Sequence, residues 1–322
     1  MGQMKTILIT GGCGYIGREL CKRLSVEGNG TIRIVACDIY ELPTIDRLPG
    51  VDYETADIRN PEFKAVMERV RPQIVVHLAS IVGAGGDPEF EYSVDVLGTK
   101  NVLDCCVDVK AAQIVVTSSG AAYGYHEDNP EWLRETDPLR GNEDFAYSRH
   151  KRMVEELLAE YREKQPQLTQ LVFRPGSVIG ENVSNQITAL FERPFILGIS
   201  GSDCSFVFIW DRDVVSCIVK GILEDKEGIY NLAGDGAMPM REIAKVLGKP
   251  YLPLPAGLVG GVLGLARILR LGKLGPEHVK FLQFRPVLDN SSLKSDFGIS
   301  LEKTTREAFD LFRLSRFGGT EE

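Results

Sequence analysis

The sequence lacks the residue patterns that mark metal sites, disulfide frameworks and nucleic-acid platforms. It has only four histidines, and its seven cysteines include no Cys-x-x-Cys pair. The scattered histidines predict no metal cage, and an odd set of cysteines in apolar runs predicts buried, reduced thiols in a cytoplasmic protein. The formal net charge is −8, and no basic block occurs. This charge pattern argues against a nucleic-acid partner.

We also expect neither a leader segment nor a membrane-spanning run. The first strand-like run begins at Lys5, so we expect no signal peptide. The apolar stretch 255–271 contains Arg267 and Arg270 and is too short and too charged to span a bilayer. We therefore expect no integral membrane segment, and we interpret this stretch as a buried helix or, alternatively, as a lid over an apolar substrate. The length of 322 residues, with 43% hydrophobic and 25% charged, is typical of a soluble globular protein.

The first motif in the sequence is a glycine-rich turn. Residues 10–17 read TGGCGYIG, and they follow the apolar run 5–9 and precede a helical pattern. Gly11 allows a sharp turn, Gly14 lets the backbone approach a pyrophosphate, and Gly17 lets the helix pack closely on the strand. The helix N-terminus then offers free N–H groups to the phosphates. The turn therefore predicts dinucleotide binding.

A carboxylate follows at the end of the second predicted strand. Asp38 lies 21 residues after Gly17, close to the spacing of about 20 that places an acidic side chain on the cofactor ribose. A carboxylate there accepts hydrogen bonds from both ribose hydroxyls of NAD and repels the 2′-phosphate of NADP. The alternative is an aspartate that only starts a turn. We expect NAD as the cofactor.

Strand and helix patterns alternate through the first half of the chain. The further strand patterns lie at 31–38, 51–55, 73–79, 113–119 and 168–173. Continuous apolar strands separated by helices predict an α/β fold with a Rossmann-type, doubly wound parallel sheet. We expect an NAD-binding domain over 1–173, with 206–232 returning to it. A small, discontinuous C-terminal substrate lobe would comprise 174–205 and 233–315, followed by a flexible tail at 316–322.

Two side chains on one helical face indicate acid–base chemistry. In the sequence YSRHK at 147–151, Tyr147 and Lys151 are four residues apart and share a face of the predicted helix 145–164. A nearby ammonium favours the phenolate, so we expect Lys151 to lower the pKa of Tyr147 from its usual value of about 10. Tyr147 would then act as a general acid or base. Ser118 and Ser119 end the fifth strand, and either hydroxyl could bind the substrate oxygen.

Together these motifs resemble the extended short-chain dehydrogenase/reductases, in the NAD-dependent epimerase/dehydratase branch that includes UDP-glucose 4-epimerase-like proteins. The matching pieces are TGGCGYIG, Asp38, Asp57-Ile58, His77-Leu78-Ala79, Ser118-Ser119 with Ala122-Tyr123-Gly124, YSRHK, Arg174-Pro175-Gly176 and the segment 208–214. The resemblance spans about residues 4–315.

The resemblance implies a set of site residues. The catalytic residues would be Ser119, Tyr147 and Lys151. The cofactor contacts would be Gly11, Gly14, Tyr15, Ile16, Gly17, Asp38, Asp57, Ile58, Leu78, Ala79, Ser80, Tyr147, Lys151, Pro175, Gly176 and Ser177. The substrate contacts would be Val82, Ser119, Gly120 and Ala121. Independently of the resemblance, the basic residues Arg193 and Arg212 are expected substrate contacts that, with Lys273, could bind a nucleotide diphosphate. No metal is expected.

The chain also departs from the family pattern. Asp95 stands where the family usually has asparagine near the active site. Gly120-Ala121 stands where sugar-nucleotide 4,6-dehydratases carry Asp-Glu, so dehydration is less expected than epimerisation or simple oxidation.

The resemblance favours an NAD-dependent epimerase or oxidoreductase that acts on a secondary alcohol of a nucleotide sugar. The alternatives are a hydroxysteroid- or lipid-type dehydrogenase and a non-catalytic NAD-binding protein. By the same resemblance, the helices at 90–108 and 145–164 would pair across a homodimer interface.

Overall fold

The computed structural model describes residues 4–82, 86–271 and 274–318. Apolar, β-branched runs form its strands, and segments with apolar residues every three or four positions form its helices. The strands are β1 (Lys5–Thr10), β2 (Ile32–Asp38), β3 (Val51–Thr55), β4 (Ile74–His77), β5 (Gln113–Thr117), β6 (Thr169–Pro175), β7 (Ser177–Ile179), β8 (Ile196–Ile199), β9 (Ser205–Phe206), β10 (Phe208–Trp210), β11 (Gly228–Leu232), β12 (Met238–Pro239) and β13 (Tyr251–Leu254). The helices are α1 (Tyr15–Glu27), α2 (Pro61–Val70), α3 (Pro88–Tyr92), α4 (Thr99–Val109), α5 (Ala146–Lys164), α6 (Gln186–Phe191), α7 (Asp211–Leu223), α8 (Met240–Val246), α9 (Ala256–Ile268), α10 (His278–Gln283), α11 (Ser291–Ser295) and α12 (Thr305–Phe317).

Seven strands form one parallel sheet in the order β11-β6-β5-β4-β1-β2-β3. The chain first moves outward from β1 through β2 to β3, then returns to β4 on the other side of β1 and continues outward to β11. The strand order therefore reverses between β1 and β4, and a crevice opens at the carboxyl ends of these two strands. The predicted Rossmann-type, doubly wound α/β fold is confirmed.

Helices cover both faces of this sheet because its strands are apolar on both sides. Ile7 and Ile9 of β1 belong to the core under α1 and α7, whereas Leu8 between them belongs to the core under α2, α4 and α5. This alternation follows from the two-residue repeat of a strand. The sheet is thus sealed on both faces, and only its edges and strand ends can reach solvent or a ligand.

The C-terminal part of the chain has an aromatic core of its own. Edge-to-face and stacked ring contacts join Phe191, Phe206, Phe208, Phe309 and Phe312. Short strand pairs frame this core: β7 with β10, β8 with β13, and β9 with β12. The strand β11 pairs with β6 in the main sheet. The division into an NAD-binding domain and a substrate lobe stays a prediction.

The apolar stretch 255–271 differs from its sequence-based prediction. It forms a helix, α9, but among the described residues of that helix only Val259 is buried. The expectation of a buried helix is therefore wrong, because the rest of the chain covers only one narrow side of α9.

Other sequence-based predictions meet the limits of the described chain. The last helix, α12, extends to Phe317, so the predicted tail is helical at its start, and 319–322 lie outside the described residues. Lys273, an expected diphosphate contact, also lies outside them. All seven cysteines are free, and six of them are buried. In the part of the chain that the structure describes, no helix combines the length and apolarity needed to cross a membrane.

Candidate active site

The glycine-rich turn forms a close-packed cradle at the carboxyl end of β1. Gly11 has φ +68°, and a Cβ there would approach the backbone nitrogen of Ala79 to 2.9 Å. A Cβ on Gly17 would collide with the carbonyl oxygen of Gly11. Both positions therefore require glycine, the first for its left-handed backbone and the second for the close approach of α1 to the turn.

The N-terminus of α1 and Asp38 are placed for a dinucleotide. The N-cap of α1 is Gly14, which provides no side-chain cap, so the first N–H groups of the helix remain available to phosphate oxygens. The Asp38 carboxylate accepts hydrogen bonds from the Cys13 backbone at 3.0 Å and the Ile39 backbone at 2.8 Å. These bonds hold the carboxylate beside the turn, with oxygen lone pairs left for ribose hydroxyls. The residues present fit NAD.

Two of the expected cofactor contacts, Asp57 and Ile58, lie after β3. Asp57 forms a salt bridge with Arg59 at 2.6 Å, and hydrogen bonds from Arg59 lower the pKa of this carboxyl. Ile58 is buried, and a Cβ on Gly98 would press against its side chain. Leu78 and Ala79 directly follow β4, and their backbone lies against Gly11 of the glycine-rich turn.

Ser119, Tyr147 and Lys151 meet at one cavity of about 260 Å³. Tyr147 lies in the first turn of α5, Lys151 lies one turn later, and Ser119 follows β5. The cavity is lined by Ile16, Leu78, Ser80, Val82, Thr117, Ser118, Ser119, Tyr125, Phe145, Tyr147, Lys151, Pro175, Gly176, Ser177, Val178, Asn185, Gln186, Ile187, Val214, Phe281 and Arg285. The structure thus brings together the three residues that the sequence analysis assigned to catalysis. Gly120 and Ala121 line an adjoining small cavity with Ser119.

The ionisation of Tyr147 differs from the prediction. Burial raises the pKa of Tyr147 to about 12; a hydrogen bond with Ser119 partly offsets this, and the negative charge of Asp95 adds to it. The Lys151 ammonium lies 5.7 Å from the centre of the Tyr147 ring. Burial also lowers the pKa of Lys151, and the negative charges of Asp95 and Glu155 partly offset this lowering. In the protein alone, the loss of water on burial therefore sets the direction of the pKa shift of Tyr147, although the helical spacing places a cation nearby.

Lys151 is held by a chain of hydrogen bonds that ends at Asp95. The Lys151 ammonium donates to the Ser80 hydroxyl at 2.8 Å, and that hydroxyl donates to the Asp95 carboxylate at 2.8 Å. The Ile81 backbone N–H donates to the same carboxylate oxygen at 2.8 Å. Asp95 lies in a π-helical turn, Ser93–Gly98, that joins α3 to α4. Asp95 therefore positions Lys151 through Ser80, a role that sequence reasoning left open.

The two candidate serines have different surroundings. Ser119 is hydrogen-bonded to Tyr147, and its hydroxyl oxygen also accepts from the Ala121 backbone at 3.1 Å. The buried Ser118 hydroxyl has no hydrogen-bond partner among the described residues. The contact with Tyr147 favours Ser119 as the group that shares the substrate oxygen.

A buried ion pair fixes α5 against the sheet. The Arg174 guanidinium, at the end of β6, donates to both carboxylate oxygens of Glu155 on α5, at 2.9 and 3.0 Å. It also donates to the Tyr123 hydroxyl at 2.9 Å, and Tyr123 donates to Asn231 on β11. Glu155 lies one turn beyond Lys151, so this network fixes the helix that carries Tyr147 and Lys151.

Sequence reasoning missed the cation in the cavity wall. Arg285 follows α10, donates to the Ser177 hydroxyl at 3.0 Å, and stacks over the rings of Phe206 and Phe281 at 3.9 and 4.2 Å. Its Nη1 is buried and has no hydrogen-bond partner in the described chain. Burial lowers the pKa of this guanidinium. The only signal in the sequence was an arginine beside a proline in the aromatic stretch 281–286.

Other predicted contacts lie away from this cavity. Arg193 is exposed and does not line it. Arg212 forms an ion pair with Glu181 at 3.1 Å and lines a separate hollow beside α1. Tyr15 donates its hydroxyl to Asp211 in that hollow. Substrate binding by Arg193 and Arg212 stays a prediction without support from this geometry.

Comparison with known proteins agrees with the motifs and the fold. The model of the NAD-dependent epimerase/dehydratase family matches residues 7–233. The chain belongs to this family. Its fold is that of the extended short-chain dehydrogenase/reductases, and its cofactor is NAD.

Individual family relatives are distant in sequence. An uncharacterized protein of Mycobacterium tuberculosis is 24% identical over 313 residues, covering 95% of this chain and 82% of the relative. The Arabidopsis thaliana 3β-hydroxysteroid dehydrogenase/decarboxylase isoform 1 is 24% identical over 350 residues, covering 95% and 79%. The UDP-glucose 4-epimerase of Thermus thermophilus, crystallised with NAD, superposes with a TM-score of 0.70 at 22% identity, covering 96% and 99%. At this identity, the structural likeness shows the fold alone.

Proposed function

We propose that this chain catalyses NAD-dependent oxidation and reduction at a secondary alcohol, with Tyr147 as the general acid–base. The observation that supports this most is the convergence of Ser119, Tyr147 and Lys151 on one cavity beside the glycine-rich turn. A protein that retained NAD only for structural reasons would not need all three residues in contact with one space. Bound NAD supplies the hydride acceptor and donor.

Each residue has a distinct task in this proposal. Tyr147 accepts the proton of the substrate hydroxyl during oxidation and returns it during reduction. The Ser119 hydroxyl, already hydrogen-bonded to Tyr147, binds the same substrate oxygen and limits its rotation. Lys151 contributes a positive charge beside the phenolate and is kept in place by Ser80 and Asp95.

A nucleotide sugar is the first candidate substrate, and epimerisation is the proposed reaction. The alcohol would be oxidised to a ketone, the sugar would turn, and the hydride would return to the opposite face, so no net redox change would occur. Arg285 supports this candidate, because its side chain lies in the cavity wall and a guanidinium there could bind a phosphate oxygen. The structural neighbour that is a UDP-glucose 4-epimerase agrees with it.

The cavity lining favours a second candidate, an apolar alcohol of the hydroxysteroid or lipid type. Tyr125, Phe145, Phe281 and Ile187 give much of the cavity an apolar wall. One relative carries the name of a hydroxysteroid dehydrogenase/decarboxylase. Such a substrate would be oxidised to a released ketone, with net formation of NADH.

One experiment separates these candidates. The purified protein is supplied with NAD and either UDP-glucose or a 3β-hydroxysteroid, and both sugar isomers and NADH are measured. Sugar interconversion without net NADH supports the epimerase, and steroid-dependent NADH supports the dehydrogenase. Failure of both substrates would contradict both assignments.

Arg285→Gln tests the proposed phosphate contact in the same assay. It should raise the KM for a nucleotide sugar far more than the KM for a neutral alcohol. The matched control is Lys280→Met, which removes a cation from α10 that is paired at the surface with Asp144 at 2.7 Å. An equal effect of the two variants would contradict a phosphate contact at Arg285.

A further inference from the structure

The helix α9 presents an apolar stripe to solvent. Its exposed apolar side chains and those just after it are Leu258, Val262, Leu265, Ile268, Leu269 and Leu271, each with 54–79% of its surface accessible. The spacing of three or four residues places most of them on one helical face. Monomeric soluble proteins rarely leave a continuous apolar patch of this kind uncovered.

The opposite side of α9 is anchored to the protein. Val259 packs against Ile199 and Val279 in a small buried cluster. Gly260 and Gly264 face Pro276, where a Cβ would make only ordinary van der Waals contacts. The anchored side thus leaves the leucine-rich face pointing outward as part of the folded structure.

The stretch of sequence that contains α9 carries a net positive charge, whereas the chain as a whole carries −8. No aspartate or glutamate occurs between Glu242 and Glu277, and this interval contains five lysines and arginines. Arg267 is paired with Glu277 at 2.9 Å, and Arg270 has no acidic partner among the described residues. Two copies that met through this face would bring like charges together.

The geometry points to an anionic lipid bilayer as the partner of this face. We propose that α9 lies in the plane of such a bilayer, with Val262, Leu265 and Ile268 among the acyl chains and Arg270 at the headgroups. Exposed leucines flanked by an unpaired cation, here Arg270, are typical of interfacial helices. A helix of 13 residues is only about 20 Å long, too short to cross a bilayer.

This face lies close to the active-site cavity. The helix α10 packs against α9 through Val279 and Leu282, and its Phe281 lines the cavity. Docking of α9 would therefore bring the substrate side of the protein to the lipid surface. The proposal does not depend on which alcohol is oxidised.

Vesicle flotation of the purified full-length protein tests the proposal. The protein should float with phosphatidylcholine vesicles that contain phosphatidylglycerol, and less with phosphatidylcholine alone. Added salt should weaken binding because it screens the charges. Leu265→Asp should weaken binding by roughly tenfold or more, since it removes an exposed leucine that would be buried among the acyl chains. Arg270→Gln should weaken it roughly fivefold.

Ile45→Asp provides the matched control. Ile45 is 93% exposed in the turn Thr44–Asp46, away from α9, so this variant should bind vesicles like the wild type. Failure of the wild-type protein to bind the anionic vesicles would overturn the proposal, as would equal binding by Leu265→Asp. A vesicle-free oligomer that Leu265→Asp dissociates would also overturn it and assign the face to self-association.

Discussion

Replacement of Tyr147 by phenylalanine gives the sharpest test of the proposed chemistry. The change removes one hydroxyl and leaves the ring, which packs 6.5 Å from Phe145 between ring centres. The lost hydrogen bond to Ser119 should cost about 0.5–1.5 kcal/mol of folding free energy. Because domains are stable by roughly 5–15 kcal/mol, the variant should fold and bind NAD.

Turnover should fall far more than stability. Loss of a general acid–base group lowers rates by about 10²–10⁴, which corresponds to about 3–5 kcal/mol of barrier height. The assay compares kcat with whichever of the two candidate substrates the wild type turns over and, separately, NAD affinity by calorimetry. Tyr125→Phe is the matched control, because Tyr125 is a buried tyrosine of the same cavity without an assigned chemical role.

The pH dependence gives an independent measure of the same group. The base is the phenolate, and a pKa of about 12 for Tyr147 leaves it almost wholly protonated at neutral pH. The rate of alcohol oxidation should therefore rise about tenfold per pH unit through the neutral range, where chemistry limits the rate. Near-normal turnover of Tyr147→Phe, or a loss equal to that of Tyr125→Phe, would refute this mechanism.

Four further predictions follow from the same structure. Asp38→Ala should reduce the ratio of the affinities for NAD and NADP in calorimetric titrations, because it removes the carboxylate that repels the 2′-phosphate of NADP. Equal affinities of the wild type for NAD and NADP would contradict the ribose contact. Glu155→Gln should lower the free energy of unfolding in urea by about 3–5 kcal/mol, because it leaves Arg174 buried and uncompensated; Glu156→Gln, at an exposed i,i+4 pair, should cost only about 0.3–0.5 kcal/mol. Asp95→Asn should move the inflection of the pH–rate profile downward, because the carboxylate charge raises the pKa of Tyr147, and an unmoved inflection would limit Asp95 to a structural role. Light scattering at micromolar concentration should give a dimer if the helices α3, α4 and α5 pair across an interface, and a monomeric mass would contradict that prediction.

The parts of the site that depend on short spacings were predictable from the sequence. The strand β1, the glycine-rich turn and the helix α1 follow one another directly in the chain. Their order therefore predicted that Gly11 and Gly17 would lie at close backbone contacts. Tyr147 and Lys151 share a face of α5 because four residues make about one helical turn. The continuous apolar runs likewise predicted the class of fold, because strands with this pattern are typical of a parallel sheet that is covered on both faces.

Other features depend on distant parts of the chain and could not be predicted. Arg285 enters the cavity wall 134 residues after Lys151 along the chain. Arg193 looked equally suitable in the sequence, yet it lies at the surface. The sequence around a single arginine does not show whether its side chain will line a cavity or face solvent.

The sequence by itself determined the order of strands and helices, the nucleotide-binding turn and the pairing of Tyr147 with Lys151, because these follow from local periodicity and chain connectivity. Only the tertiary structure decided how deeply each group is buried. It exposed the apolar face of α9, which periodicity could not distinguish from a core helix. It also enclosed Tyr147, so that desolvation raises the pKa that the neighbouring lysine was expected to lower. The burial of a residue depends on every element that packs around it, so its extent is determined only when the whole chain has folded.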